Sequence, residues 1–95
     1  MISEIEVAKK LTQIKDINSE ENIVNSGRIQ GINIYRENIN ILIAKKNDEN
    51  SEDIRIVEKK IKESLSDFKT VSIDIKEGEL KKSEITHLLN MSKVD

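Results

Sequence analysis

SEDIRIVEKKIKESLSDFKTVSIDIKE, residues 51–77, changes its hydrophobic period once, and that change decides the fold. Ile54, Val57, Ile61, Leu65 and Phe68 recur at intervals of three and four, which is one stripe of an α-helix. Glu58, Lys59, Lys62 and Glu63 fall on its wet side. The preceding Asn50-Ser51 can cap this helix, and Glu52 and Asp53 sit in its positive first turn. From Thr70 to Glu77 the period is two, with Val71, Ile73 and Ile75 inward and Ser72, Asp74 and Lys76 outward. A helix of about four turns therefore leads into a strand with one solvated face, and Gly78 punctuates that strand.

Upstream, Ile32 and Ile34 alternate with Asn33 and Tyr35, and Ile39, Ile41 and Ile43 alternate with Asn40 and Leu42. These are two strands within residues 28–46, joined by Arg36-Glu37-Asn38, a short turn in which Asn38 is expected to take the left-handed conformation. Ile29 has the wrong parity relative to Ile32, and Gly31 suits a bulge that would return Ile29 to the core face. Asn22-Ile23-Val24 reads as a short extended piece, ended by the turn chemistry of Asn25-Ser26-Gly27. At the start, Ser3 and Glu6 form a capping box ahead of Val7, Ala8, Leu11 and Ile14, which predicts a helix from about Glu4 to Ile17, ended by Asn18 and Ser19. Downstream, Leu80, Ile85, Leu88, Leu89 and Met91 mark a last helix that begins between Glu79 and Ser83. The expected order is α-β-β-α-β-α: a single α+β domain over residues 1–95, a two-layer sandwich with helices covering one face of a three-stranded sheet. The crossover through the central helix should make the third strand parallel to the second, while the strand order stays open.

Composition narrows the function classes. Sixteen Lys plus Arg against eighteen Asp plus Glu give a net charge of -2, too balanced for electrostatic capture of a polyanion. Tyr35 and Phe68 are the only aromatic residues, leaving little to stack on bases or ligand rings. There is no Cys and a single His87, which disfavours thiolate sites, triads and multi-histidine metal centres. The longest apolar run is Ile41 to Ala44, far short of the roughly 20 residues of a membrane span. The first residues lack a basic n-region and apolar h-region, so no export signal is expected in this chain.

Several constellations carry a chemical reading beside a plainer one. Glu84 and His87 stand at the i, i+3 spacing of dinuclear bundles, but no second motif exists and a solvent-facing His87 is expected. Gly27-Arg28-Ile29-Gln30-Gly31 has neither the spacing of a nucleic-acid clamp nor a Walker lysine, and turn and bulge roles are expected instead. Asp48, Glu49, Glu52 and Asp53 lack the spacing of a calcium loop, and helix capping accounts for them. Lys59-Lys60 and Lys81-Lys82 read as solvated partners of neighbouring glutamates. On the outer face of the hairpin, Tyr35, Leu42 and Ala44 interrupt a row of Asn33, Asn38 and Asn40. That is either a protein contact or a scatter of ordinary surface apolar groups. Any uncovered strand edge offers a second docking route, by sheet extension.

The layout from Ile5 to about Met91 resembles the YhcN/YlaJ family of sporulation lipoproteins. The matching stretches are Ile32-Asn33-Ile34, Ile39-Asn40-Ile41-Leu42-Ile43, the helix Ser51 to Ile61, and Val71-Ser72-Ile73-Asp74-Ile75 with Glu77-Gly78-Glu79-Leu80. The core is also similar to the ring-building motif of sporulation channel proteins and to BON-like domains. Two features depart from the family: Arg36-Glu37-Asn38 replaces the usual glycine-containing turn, and the lipidated N-terminal cysteine is missing. Membrane anchoring is therefore expected only if an N-terminal lipidated segment was removed. The resemblance implies a non-catalytic protein-interaction or assembly module of the cell or spore envelope in a spore-forming bacterium. Such a module has a protein partner or a second copy, and takes no cofactor, metal or small-molecule substrate. The alternative is a cytoplasmic nucleic-acid-binding adaptor of K-homology-like shape.

Overall fold

The structure, a computed structural model, describes residues 3–81 and 84–91, with backbone alone for Glu84, Leu88, Asn90 and Met91. Its elements run α1 (Glu4–Leu11), β1 (Ile29–Tyr35), β2 (Asn38–Lys45), α2 (Ser51–Ser64), β3 (Thr70–Glu77) and α3 (Glu84–Met91). The three strands form one sheet in the order β1-β2-β3, with β1 antiparallel to β2 and β3 parallel to it. A parallel neighbour cannot be reached by a tight turn, and α2 supplies the long return. The β1–β2 register shifts between Ile29 and Gly31, so that Ile29 opposes Ile43 and Ile32 opposes Ile41. This is the bulge the parity of the sequence demands, and both isoleucines reach the core.

All three helices pack on one face. Val7, Ala8 and Leu11 of α1, Ile54, Val57 and Ile61 of α2, and Ile85 and Leu89 of α3 join Ile29, Ile32, Ile39, Ile41 and Ile43 in a single cluster. Helix α1 touches both α2 and α3, and α3 lies against β1. Asn50 caps α2 by accepting from the Glu52 amide at 2.8 Å, and Leu65 closes it. Phe68 lies beyond the helix, its amide N–H donating to the Leu65 carbonyl at 3.0 Å and its ring half-buried against the core. The start of α3 between Glu79 and Ser83 falls partly outside the described residues, as do the side chains of Leu88 and Met91.

Two local expectations need correction. Helix α1 ends at Leu11, six residues short of Ile17, with Thr12 as its C-cap. The chain instead folds back on itself: Lys15 bridges Asn22, the Asp16 amide donates to the Glu21 carbonyl and the Ile23 amide to the Ile14 carbonyl, with Asn18 at φ 47 near the bend. Asn22-Ile23-Val24 is correspondingly a turn after one bridge, pinned by the Asn22 carboxamide, which accepts from the amides of Val24 and Asn25. In the hairpin, Tyr35 pairs with Asn38, so the turn has two central residues, Arg36 and Glu37. The positive φ, 56°, falls on Arg36 and not on Asn38, the pattern of a type II′ turn.

Candidate interaction surface and its buried anchor

Among the described residues the most heavily bonded buried side chain is that of Arg28, 1% exposed at the entry to β1. Its Nε donates to Asp16 Oδ1 at 2.9 Å and its Nη2 to Asp16 Oδ2 at 3.2 Å. Nη1 and Nη2 donate to Glu49 Oε1 and Oε2, both at 2.6 Å, and Nη1 also donates to the Ala44 carbonyl at 2.8 Å. These five bonds match the five N–H groups of a guanidinium, a fork that an ammonium could not reproduce. Burial works against the Arg28 charge, but the hydrogen bonds it donates to Glu49 and Asp16, with the charges of those carboxylates, outweigh it and raise its pKa. The Arg28 hydrogen bond is the main reason the Glu49 carboxyl is held down at about 2; burial opposes it, and the Lys46 amide adds to it at 2.8 Å. Glu49 thus belongs to this cluster rather than to the capping of α2. The cluster ties the loop after α1, the start of β1 and the loop before α2 to one another. Its position explains why α1 ends early, because a helix continued to Ile17 would abolish the fold-back that presents Asp16.

The glycines flanking this region serve the backbone. Gly27 has φ 89 and is packed so closely that a Cβ would lie 2.8 Å from the backbone of Lys81. The Gln30 carboxamide, at the bulge, donates to the carbonyls of Gly27 and Lys81. Thr86 of α3 donates to the Val24 carbonyl at 2.9 Å, fastening α3 to the same segment.

The opposite face of the sheet carries no helix among the described residues. Asn33, Tyr35, Asn38, Ser72, Asp74 and Lys76 are exposed there. Asn40 Nδ2 donates to Ser72 Oγ at 2.9 Å and to Asp74 Oδ2 at 3.1 Å, a polar row crossing from β2 to β3. The structure does not gather Tyr35, Leu42 and Ala44 into one patch. Tyr35 is 68% exposed, with the Arg36 guanidinium 5.4 Å from its ring centre. Leu42 is half-buried and pairs with Gly31, whereas Tyr35 pairs with Asn38, so the two stand about 13 Å apart along β2. Ala44 is 2% exposed and bonded on both backbone sides to Arg28, which removes it as a contact residue.

A better-formed surface lies along β3. This is one of the sheet's two edge strands, and whereas β1 carries the bulge, β3 offers an edge without a partner among the described residues, eight residues long and without proline or bulge. The alternation of Val71, Ile73 and Ile75 is as expected, but its coverage is not. Val71 and Ile73 are half-buried, and Ile75 is 46% exposed. Beside Ile75 a shallow cleft opens, lined by Lys45, Ser51, Ile54, Arg55 and Glu58. An apolar row thus runs along an open edge and is roofed from one side only.

His87 is exposed, and the side chain of Glu84 lies outside the described residues. Among the described residues no group of three or more His, Cys, Asp or Glu side chains is placed to hold a metal, and no helix is long and apolar enough to cross a membrane. No family model, curated protein or solved structure matches this chain.

Proposed function

We propose that this chain is a protein-interaction or assembly module, without catalysis or cofactor, that docks through the β3 edge. The reading also places it among envelope or spore-associated domains of the YhcN/YlaJ kind. The observation that carries the docking role is the combination on β3: a side away from β2 whose main-chain groups have no strand partner among the described residues, flanked by an apolar row whose outermost member, Ile75, is half in water. Main-chain hydrogen bonds supply affinity in strand addition, and the alternate side chains supply selectivity. The net charge of -2 and the scarcity of aromatic residues favour a protein over a nucleic acid as the occupant.

The test is photocrosslinking in cells that make the protein, with a photoreactive phenylalanine analogue at position 76 on β3 or at position 59 on the wet face of α2. Discrete protein adducts from position 76, with few from position 59, are expected. Equal labelling from both positions, or adducts to nucleic acid alone, would overturn the reading.

A further inference from the structure

We infer that the occupant of the β3 edge is a second copy of this chain, joined by antiparallel β3–β3′ pairing with Ile73 on the two-fold axis; this rests on the docking role proposed above. Closure by a two-fold axis along the strands would turn one copy over and set an apolar face beside a polar one. A two-fold axis perpendicular to the sheet keeps both helical layers on one side and makes a continuous six-stranded sheet. In that arrangement, paired residues must share a face, so the two residue numbers of each pair sum to an even number.

Three registers are then centred on the strand, and they are not equivalent. With Ser72 opposite its own copy, Ile75 faces Lys69′ and Lys76 faces Phe68′. With Asp74 opposite its own copy, two carboxylates meet directly and Val71 faces Glu77′. With Ile73 on the axis, Val71 covers Ile75′ and Ile73 covers Ile73′, so every half-exposed apolar residue of β3 gains an apolar partner. In the same register Lys69 meets Glu77′, Lys76 meets Thr70′, and Ser72 can donate to Asp74′. The residues from Lys69 to Glu77 carry two lysines, one aspartate and one glutamate, so the edge is neutral and complementary to itself.

The chain has no cysteine, so an introduced thiol is the sole one. Under mild oxidation Ile73→Cys should crosslink to itself, since directly opposed residues fall within disulfide reach. A mixture of Ser72→Cys and Asp74→Cys, both exposed positions that leave the core intact, should crosslink several-fold more than either variant alone. Sedimentation equilibrium of the unmodified chain should show the mass rising from 10.9 kDa toward twice that value with concentration. Lys69→Glu should weaken the association, and Glu77→Lys in the same chain should restore it. Asp74→Cys crosslinking alone as well as in the mixture would overturn the register and with it the inference. A monomer at all concentrations, with protein adducts at position 76 to another chain, would overturn the second copy and leave the docking role standing. Absence of both would remove the two together.

Discussion

Arg28 shows what a charge costs and supplies when it is taken out of water. Removing it strands two carboxylates, one of them on the 7% exposed Asp16, so Arg28→Met should lower unfolding free energy by about 3–5 kcal/mol, measured by urea denaturation. The pH dependence has a definite sign. Unfolded Glu49 binds its proton near pH 4.5, whereas folded Glu49 holds it off until about pH 2. Between those values the unfolded chain carries more protons, so stability is fully present above pH 4.5 and about 3 kcal/mol is lost as pH falls toward 2. Glu49→Gln should be less stable at neutral pH and lose less between pH 5 and 2, which urea titrations at stepped pH measure. None of this cluster was legible in the sequence, where Glu49 reads as part of the capping of α2 and Arg28 only as a member of a turn and bulge. Asp16 lies 12 residues and Glu49 21 residues from Arg28, separations that no periodicity encodes. The one signal present was the choice of arginine, which accounts for three of the sixteen basic residues, next to Gly27 at a strand entry.

Elements whose stability comes from an amphipathic stripe were readable, and those whose ends are set by distant partners were not. Helix α2 and strand β3 follow their periods closely because each turns its apolar face to the same core, α2 burying it and β3 covering it only in part. Helix α1 obeys its period only to Leu11, since Ile14, although 8% exposed, reaches the core from the fold-back rather than from a helix. The hairpin turn departs from sequence preference in another way, placing Arg36 where a glycine is usual. A left-handed conformation costs a non-glycine residue roughly 1–2 kcal/mol, so Arg36→Gly should raise the thermal midpoint and stabilise the fold by about 1 kcal/mol, with Glu37→Gly giving no such gain. Asn50→Ala removes the cap of α2 and should cost about 1 kcal/mol in the same assay.

At the scale of the whole molecule, the α-β-β-α-β-α order and the one-sided helical layer follow from the alternation of periods, because three half-apolar strands must be roofed. The β1-β2-β3 order does not follow from any local pattern; it is set by which edge the return through α2 reaches. That choice leaves β3 at the edge opposite β1, with Ile75 only partly covered by the helical roof. A domain of this size buries only about 60–65% of its unfolded surface, so additional burial at an open edge weighs heavily in its total stability. Residue-resolved amide hydrogen exchange on a dilute sample tests the open edge most directly. Central β2 should be protected at every amide, while in β3 protection should alternate, with the outward amides exchanging fast and slowing as protein concentration rises. Uniform slow exchange along Thr70–Glu77 in dilute solution would mean that the edge is already covered, and would contradict the account.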